Sequence, residues 1–591
     1  MKEGVPQGGV VSSTLFLVYI NDLVSNLPKH VSNTLHADDL AIWSCETSTA
    51  TATLRIQNAI NNIAEWTEKW GLNINKNKTV STLFSLSTSK EKVNLKLDNN
   101  PVPQEETPTF LGATLDSRLT WKQHLENIQE RTHKKLAIMK KLAGTNWGAN
   151  AKILRQVYTG TVRPIAEYAS TSWTTASRTS KAKLDKVQNS ALRIILGAMK
   201  TTPIRELEKT ADLEPLETRR EYKVLVQAEK VKRLQSHPLH TKLKSRTKNR
   251  LKRQSLNHIV KSLQKENTTA TNTDVEPLVP DKWTPRQYVP QISLEVPAME
   301  DKGKQPEVLQ RTLTLEMINK RYPQHSWIHA YTDGSAEKAV QNAGSGVYIR
   351  FPNNSTISLS NPVGRRCSNY RAELHALTTA ALHLSEREEK GKNIVFLTDS
   401  KSALQALSAG PSDSSTRQLS DNICRLSEHN NVTLQWIPAH VGIRGNEAAD
   451  KLAKRATRLT QPQPPTSYRE AKTLLKNSFR SKWKIQNGGY STKQDSLHQL
   501  NRHSQTKIFR LRTGHCGLRK HMKRLGLVET AECECGAEEQ TPFHILQQCT
   551  HLEEVRQEVW PTETPFETKL WGDASDLLKT MQYIAASNLR I

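Results

Sequence analysis

Long apolar runs, cysteines and, over one stretch, acidic side chains are scarce in this chain of 591 residues. No apolar run approaches the ~20 residues of a membrane-spanning helix, which disfavours a membrane role. The seven cysteines are few, odd in number and without a secretory leader ahead of them. This pattern favours a reduced intracellular setting, nucleus or cytoplasm, over a disulfide framework. Between Lys230 and Lys265 there is no acidic residue.

Positive charge is what the chain has in excess. It carries 84 Lys and Arg against 58 Asp and Glu, a formal net charge of +26. Such an excess favours a polyanionic partner such as RNA or DNA, because each cation at a phosphate releases condensed counterions. A solvated basic surface is the alternative that charge alone leaves open. The sequence does not indicate an oligomeric state.

Periodicity and punctuation divide the chain into five segments and predict a multidomain α+β protein. The segments are mixed α and β over 1–115, mainly helical over 116–235, a basic and then proline-rich linker over 236–325, a compact α/β pattern over 326–460, and a helical tail with cysteines over 461–591. No internal repeat is evident.

Four carboxylates in the α/β segment fall at positions where a solvated acidic residue is unusual. The pattern places Asp333 at the end of a strand over 327–332. Glu373 shares a helix face with alanine and leucine side chains, so it faces the core. Asp399 follows a continuous apolar strand, at the edge where α/β sheets hold ligands. Asp450 lies one helical turn after Asn446, on the same face.

Four inward carboxylates need a counter-charge, because burying unpaired anions together costs several kcal/mol per ion. Hard divalent cations such as Mg²⁺ or Mn²⁺ prefer carboxylate oxygens. Two such ions about 4 Å apart can activate water and stabilise a leaving oxygen in phosphodiester cleavage. His440, on a loop, is predicted to accept or shuttle a proton near neutral pH.

These residues lie within four motifs that together resemble ribonuclease H. The motifs are Thr332-Asp333-Gly334-Ser335, Tyr370-Arg371-Ala372-Glu373, Leu397-Thr398-Asp399-Ser400 and the run from His440 to Asp450. The resemblance covers 326–460 and implies a five-stranded mixed sheet. It implies two divalent metal ions held by Asp333, Glu373, Asp399 and Asp450, with His440 assisting turnover.

The same resemblance predicts the substrate-binding residues. Asn369 is expected near the 2′-hydroxyls of the RNA, and Ser335 and Asn446 are predicted to contact substrate. The alternative is an inactive copy that keeps the fold.

A second set of motifs lies in the first segment. Asp38 and Asp39 are predicted to occupy a hairpin turn, the one position where neighbouring carboxylates can approach one metal site. An ordinary Asp-rich turn is the alternative. The surrounding motifs resemble the later palm motifs of reverse transcriptases, most of all those of non-LTR retrotransposons of jockey or I-element type. They are Gly4 to Gly9, Tyr19 to Leu23, His36 to Asp39, Gly71 to Asn75 with Lys78 and Thr79, and Phe110 to Gly112.

This resemblance implies a partial palm over 1–115 and a helical thumb or connection over 116–235. Asp38 and Asp39 would be catalytic, and Gln7, Gly8 and Lys78 would contact nucleotide or template. His36 stands where the family usually has an aromatic residue, and Ser13 replaces a common proline. The family also has a further catalytic aspartate ahead of the first of these motifs. We therefore expect a 5′-truncated copy with an inactive polymerase remnant.

The tail carries the spacing C-x-C-x8-H-x4-C through Cys533, Cys535, His544 and Cys549. Three thiolates and one imidazole suit a closed structural Zn²⁺ site, although the one-residue gap is tighter than usual and chance clustering is the alternative. The segment resembles the carboxyl-terminal motif of the same retrotransposons. The tail is expected to unfold on its own when the metal is removed. Cys516 and His515 are spare candidates.

Basic side chains beside this motif are candidates for phosphate contacts, with solvated helix faces as the alternative. They are Lys507, Arg510, Arg512, Arg519, Lys520, Lys523 and Arg524. As a whole, the sequence predicts a metal-dependent endonuclease for the RNA strand of RNA–DNA hybrids, with RNA and DNA as partners. The competing hypothesis is a non-catalytic nucleic-acid-binding remnant.

Overall fold

The computed structural model describes the chain except for residues 1–3, 88–90, 246–253, 268–273, 279–289, 301–304, 388–389, 411–412 and 537. The chain forms two compact units. One comprises Met1–Arg220 with Asn487–Ile591, and the other comprises Glu221–Gln486. Among the described residues, no helix combines the length and apolar character needed to cross a membrane.

The first unit begins with small elements. Its strands form three hairpins, β1–β2, β3–β4 and β5–β6. They are β1 (Ser32–His36), β2 (Asp39–Trp43), β3 (Lys96–Leu97), β4 (Asn100–Pro101), β5 (Thr109–Phe110) and β6 (Ala113–Thr114). Its helices are α1 (Ser12–Ile20), α2 (Thr49–Lys69), α3 (Lys122–Lys140), α4 (Ala151–Val157), α5 (Arg163–Ala166), α6 (Arg178–Leu196) and α7 (Ile204–Ala211). Short turns of π-helix and 3₁₀-helix cover Tyr158–Val162 and Trp173–Thr175.

The helix α8 (Leu216–Arg233) begins in this unit and continues into the next. The carboxyl-terminal part of the first unit is also helical. It contains α17 (Arg502–Thr513), α18 (Arg519–Arg524), α19 (Glu553–Val559), α20 (Phe566–Trp571) and α21 (Ala574–Ala586). Short 3₁₀ turns cover Ser496–Gln499 and Thr550–Leu552, and a π-helical turn covers His544–Gln548.

One apolar core joins the early helices of this unit to its carboxyl-terminal helices. Fully buried members include Leu154, Leu192, Ile195, Leu207, Ile508, Phe509, Ile545, Leu546, Leu577 and Tyr583. Buried Arg502 links the two parts through hydrogen bonds, because its guanidinium donates to the carbonyls of Ile194 and Ile195 at the end of α6 and to that of Gly144. The compact units therefore differ from the predicted domains: residues 487–591 pack with the predicted thumb and do not form a separate tail.

The second unit is built around a six-stranded sheet. Its order is β10–β9–β8–β11–β12–β7, from β7 (Gln291–Ser293), β8 (Trp327–Glu337), β9 (Gln341–Arg350), β10 (Thr356–Gly364), β11 (Asn393–Thr398) and β12 (Asn431–Trp436). The pairs β8–β9 and β9–β10 are antiparallel, and the others are parallel. The helices are α9 (His240–Lys244), α10 (Leu256–Glu266), α11 (Glu307–Arg321), α12 (Asn369–Glu386), α13 (Lys401–Ser408), α14 (Ser414–Ser427), α15 (Arg444–Ala456) and α16 (Tyr468–Gln486).

The sheet corrects the predicted five strands to six. The sixth strand, β7, pairs in parallel with β12 and comes from the stretch predicted to be linker. The helix α11 also comes from that stretch, and Met317 and Ile318 on it are buried in a core with Val395 and Leu397 of β11. A strand of three residues has too little alternation to be recognised from sequence, and its stability comes from a partner about 140 residues away. Residues 246–253, in the middle of the basic run, lie outside the described part.

Candidate active site and metal-binding clusters

Asp333 lies inside a strand, not at its end as predicted. The strand β8 continues to Glu337, and Asp333 is opposite Gly346 of β9 in the antiparallel register. The helix α12 packs close to this point, because a side-chain carbon on Gly334 would overlap the backbone nitrogen of Glu373. Close packing is thus the reason why the Thr332-Asp333-Gly334-Ser335 motif has a glycine at its third position. It lets the helix that carries Glu373 approach the strand that carries Asp333.

Glu373 is on the buried face of α12, as its spacing predicted. The helix begins after Ser368, whose side chain accepts a hydrogen bond from the Arg371 amide. Asp399 directly follows β11, the parallel strand beside β8. One oxygen each of Asp333, Glu373 and Asp399 lie within 4.8 Å of one another. The fold therefore brings together three of the four predicted carboxylates in one cluster.

Asp450 lies beside this cluster. Its carboxyl group shares a hydrogen bond with that of Asp333. Its Oδ2 atom also forms an ion pair with Lys454 Nζ, at a distance of 2.7 Å. Asn446, one turn earlier on α15, is buried and donates from Nδ2 to Asp399 Oδ2 at 3.3 Å. Asn446 therefore contacts a cluster carboxylate in this structure. Lys454 was not predicted from the sequence, although the four-residue spacing from Asp450 was a usable signal.

Burial and mutual repulsion change the acidity of the cluster. Burial, followed by the charges of Asp399 and Asp450, raises the pKa of Asp333 to about 8. Burial and the Asp333 charge raise the pKa of Glu373 well above its ordinary value. Burial also raises the pKa of Asp399, while the Asn446 hydrogen bond and the His440 charge act in the opposite direction. In the protein alone, burial and mutual repulsion therefore disfavour four ionised carboxylates at this site.

Two buried oxygen atoms support a divalent-cation site. Glu373 Oε2 and Asn446 Oδ1 are buried, and neither has a hydrogen-bond partner among the residues that the structure describes. Unpaired buried oxygens are costly, and a bound cation is one way to satisfy them. An all-oxygen donor set is the chemistry that Mg²⁺ and Mn²⁺ prefer. The residues present therefore fit the predicted metal ions.

The remaining predicted residues of this site line its surroundings. His440 is exposed, on the loop between β12 and α15, with a backbone φ of 58°. Gly442 follows it with φ of 80°, in the left-handed region that favours glycine. Ser335 is half-buried in β8, and Asn369 is exposed at the start of α12.

The predicted polymerase residues lie apart from the nuclease carboxylates along the chain, in the first unit. Asp38 and Asp39 are at the tip of the β1–β2 hairpin, as predicted, and both are exposed. Ala37 before them has φ of 50°. Within the described residues, the two carboxylates do not form a metal-binding group with a third side chain. Gln7, Gly8 and Lys78 are also exposed.

The four residues Cys533, Cys535, His544 and Cys549 come together as predicted. Their ligand atoms all lie within 4.8 Å of one another. Cys533 Sγ is 3.7 Å from Cys549 Sγ, and Cys535 Sγ is 3.2 Å from His544 Nε2. Sulfur atoms in a tetrahedral zinc site with bonds of about 2.3 Å stand about 3.8 Å apart, so the first distance is compatible with a shared metal ion, as it is with a thiol hydrogen bond.

The spare candidates are not part of the cysteine cluster. Cys516 is a packed core thiol, and His515 Nδ1 is 2.9 Å from Thr201 Oγ1. Five of the basic candidates beside the motif have partners within the chain, namely Arg510, Arg512, Arg519, Lys520 and Arg524. Arg510 donates to the carbonyl of Gly197, and Arg512 pairs with Asp495 through both of its terminal nitrogens. Both arginines make tertiary contacts that the local sequence does not reveal, and the assignment of the basic candidates as phosphate contacts stays a prediction.

The sheet order and the carboxylate cluster define a ribonuclease H-like α/β domain. Comparison with known families agrees, since residues 325–458 match the RNase H family model. Residues 1–115 match the family model of reverse transcriptase, RNA-dependent DNA polymerase. The chain thus combines a reverse transcriptase segment with a ribonuclease H domain.

Curated relatives identify the kind of element. The chain is 28% identical over 202 residues to a probable RNA-directed DNA polymerase from transposon BS of Drosophila melanogaster, a match covering 33% of this chain and 22% of that protein. It is 26% identical over 215 residues to the RNA-directed DNA polymerase from mobile element jockey of the same species, covering 35% and 23%. The chain is related to non-LTR retrotransposon proteins with reverse transcriptase and ribonuclease H regions. These matches span about a fifth of the length of those relatives.

Solved structures of ribonucleases H are also similar to part of the chain. RNase H1 from Halobacterium salinarum is 21% identical, with a TM-score of 0.19, and the match covers 22% of this chain and 97% of that one. LC11-RNase H1 in complex with an RNA/DNA hybrid is 21% identical, with a TM-score of 0.20, and the match covers 22% and 98%.

Proposed function

We propose that the ribonuclease H domain hydrolyses the RNA strand of RNA–DNA hybrids with the help of two divalent metal ions. The observation that carries this proposal is the cluster of Asp333, Glu373 and Asp399 with Asp450 beside it. These four carboxylates would hold Mg²⁺ or Mn²⁺. Bound there, the ions would supply Lewis-acid stabilisation of the phosphate and lower the pKa of a water molecule.

The chain's own residues would orient the ligands and the substrate. Asn446 holds one oxygen of Asp399 through its amide, which fixes the rotamer of that carboxylate. Exposed His440, on the loop that follows β12, is proposed to shuttle a proton during turnover. Asn369 and Ser335 are the groups proposed to contact the RNA strand, Asn369 through its 2′-hydroxyls.

A hydrolysis assay on a labelled RNA–DNA hybrid tests this function. Wild-type protein should cleave the RNA in Mg²⁺, and Asp399→Asn should lose at least about 100-fold in rate, because the amide keeps the shape but not the anionic charge. Glu428→Gln, an exposed change in the same domain, serves as the control and should keep full activity. Near-full activity of Asp399→Asn would contradict the proposal. Hybrid binding without cleavage by wild type would favour a non-catalytic nucleic-acid-binding protein.

The four-residue cysteine and histidine cluster is proposed to bind one structural Zn²⁺. Three thiolates and the Nε2 atom of His544 would supply its four ligands. The other ring nitrogen of His544, Nδ1, lies 3.8 Å from a carboxylate oxygen of Glu538. Metal analysis of the purified chain should find one zinc per molecule, and Cys533→Ser should lose it. Cys45→Ser, a change of an exposed cysteine outside the cluster, should retain it.

The reverse transcriptase segment is proposed to be inactive in this chain by itself. Its two aspartates are exposed and have no third carboxylate grouped with them in the part of the chain that the structure describes. A polymerase with a two-metal mechanism needs its ions bridged by a complete set of carboxylates.

A further inference from the structure

The helix α11 lies ahead of the residues that match the ribonuclease H family, yet it is part of the domain's core. Its Met317 and Ile318 are 4% and 3% exposed. They belong to one apolar cluster with residues of the loop that follows β12, namely Ile437, Val441 and Ile443. Packing therefore fixes α11 against the loop that carries His440. The helix is positioned to add side chains to the edge of the active site.

One side chain of α11 lies directly over this loop. A side-chain carbon built on Gly442 would be 3.6 Å from both Cδ and Nη1 of Arg311. Gly442 has no such atom, so the Arg311 guanidinium lies along the bare backbone. Gly442 has a positive φ of 80°, which is the reason for glycine at this position. Arg311 thus lies within van der Waals range of this part of the loop.

Arg311 is exposed, and in the described part of the chain it forms no hydrogen bond or ion pair. Glu307, one turn earlier on the same helix, is at the spacing that commonly pairs with arginine but does not do so here. An unpaired arginine is unremarkable on a chain of net charge +26. What distinguishes Arg311 is its position over Gly442, two residues from His440.

The loop connects Arg311 to the catalytic cluster. The charge of His440 acts on Asp399, so the loop stands within electrostatic reach of the carboxylates. A second exposed arginine, Arg444, follows Gly442 by two residues at the start of α15. A guanidinium offers a planar fork of donors that matches phosphate oxygens.

We propose that Arg311 is a substrate-binding residue of the nuclease site, and that it binds a backbone phosphate of the hybrid next to the cleaved bond. This inference rests on the proposed function, since it assigns a contact to the same substrate. It extends the substrate-binding surface beyond the residues of the ribonuclease H family match, to a helix in the stretch where the sequence predicted a linker.

The test compares two charge-removing variants on one helix. Arg311→Gln removes the proposed contact. Lys320→Gln removes an exposed cation nine residues later, about 180° around the helix, so it changes net charge equally on the opposite face. Both are made in an Asp399→Asn background, and hybrid binding is measured by fluorescence anisotropy over a range of salt concentrations.

Arg311→Gln should weaken hybrid binding about 3- to 10-fold and lower the slope of log affinity against log salt by about 0.9, the value of one phosphate contact. Lys320→Gln should change neither. In the active protein, Arg311→Gln should raise KM with kcat within about twofold, because the contact is made equally in the ground and transition states. Arg311→Lys should restore much of the affinity.

Three outcomes would overturn the inference. One is equal hybrid affinity of the two variants. Another is a lower melting temperature and kcat for Arg311→Gln with unchanged affinity, which would assign Arg311 a structural role on the loop. A chain that does not bind hybrid at all would contradict both proposals. A wild-type chain that binds hybrid without cleaving it contradicts only the proposed function, and the affinity comparison still decides the role of Arg311.

Discussion

Glu373 lies 8% exposed on a helix face otherwise formed by alanine and leucine. An ionised carboxylate in such a position is destabilising unless a proton or a cation neutralises it. Because burial raises the pKa of Glu373 and that of Asp333, the metal-free site keeps protons at a pH where free carboxyl groups have lost them. The site therefore links folding stability, pH and metal binding.

We predict that the metal-free nuclease unit loses stability as pH rises. The pKa of Asp333 is raised from 3.8 to about 8, so the folded state holds a proton that the unfolded chain releases above pH 3.8. This contribution to stability is complete below pH 3.8 and is lost as pH rises through about 8. In chelator, the melting temperature should be lower near pH 8.5 than near pH 5.5, and Mg²⁺ should raise it more at the higher pH, because ions bind the deprotonated carboxylates.

Asp333→Asn provides the control for this experiment. The amide does not titrate, so both the pH dependence in chelator and the gain from Mg²⁺ should shrink in the variant. A wild-type protein whose melting temperature in chelator rises between about pH 5.5 and about pH 8.5 would contradict the prediction.

The clustering of these carboxylates was predictable because each lies in a short local pattern. Glu373 was recognisable from the helix face it shares with Ala376 and Leu377, which are fully buried in the structure. The ion pair of Asp450 with Lys454 was not predicted, although its four-residue spacing was visible in the sequence. The ion pair of Arg512 with Asp495 has no such local signal, because the two residues are 17 positions apart. A basic side chain looks the same in sequence whether it contacts solvent, a phosphate or a carboxylate, and only tertiary structure separates these cases.

At the scale of elements, the helix α15 packs very closely against the sheet because β9 has glycines where the two meet. A side-chain carbon on Gly346 would overlap the carbonyl oxygen of Ala449 and the amide nitrogen of Ala453. The helix carries both Asn446 and Asp450, so its distance from the sheet sets the position of two site residues. Packing of this closeness tolerates little added volume.

We predict that Gly346→Ala destabilises the nuclease unit by about 1–3 kcal/mol, because the added methyl group forces α15 away from β9. Hybrid cleavage should fall as well, since Asp450 moves with the helix. Denaturant unfolding and the hydrolysis assay measure the two effects. Gly160→Ala adds the same methyl group into open space in the other unit and should change neither. If Gly346→Ala were as stable as the wild type, the helix would be able to move away from β9 without a cost in folding free energy, and the prediction would be wrong.

The elements that sequence analysis missed depend on distant partners. The strand β7 has three residues and pairs with Thr433 to Gln435 of β12. The helix α11 follows a stretch punctuated by prolines, which indicated a linker, yet its buried face completes the core beneath the His440 loop. Alternation and periodicity predicted the longer strands and helices of this domain, because those elements carry their own pattern.

At the scale of the whole molecule, the cysteine and histidine cluster belongs to the large core of the first unit. Ile545 and Leu546, which follow the proposed ligand His544, are fully buried with Leu192 and Ile195 of α6. The free energy of the proposed metal binding would therefore be available to stabilise helices far away in sequence. This differs from the expectation of a tail that unfolds alone.

We predict that zinc removal raises hydrogen exchange in α6 as well as around the cluster, while β11 of the other unit stays protected. The physical reason is the shared core, which loses Ile545 and Leu546 when the ligand loop opens. Hydrogen exchange with mass spectrometry, with and without chelator, measures this. Hydrogen exchange that increases only within residues 531–560 would instead support a tail that unfolds independently. The control variant Cys45→Ser should behave as the wild type in both conditions.

We also predict that this chain does not extend a primer on an RNA template. Asp38 and Asp39 hold only part of a metal-binding set in the described residues, and an incomplete set loses both charge stabilisation and placement of the nucleophile. The assay uses an oligo(dT) primer on poly(rA), first with Mg²⁺ and then with Mn²⁺, beside Asp38→Ala. Extension by wild type that disappears in Asp38→Ala would refute the prediction.

The shared core of the first unit has a consequence for biosynthesis. Its early members end near Leu213, and its next members begin at Leu497, about 280 residues later. At a translation rate of about 5–20 residues per second, the ribosome needs roughly 15–60 s to cover that distance. During this time the early helices expose apolar surface with no partner, while the nuclease unit emerges complete. We therefore expect the inserted unit of the nascent chain to fold before the first unit is complete, and the early helices to be the segment that a chaperone would bind.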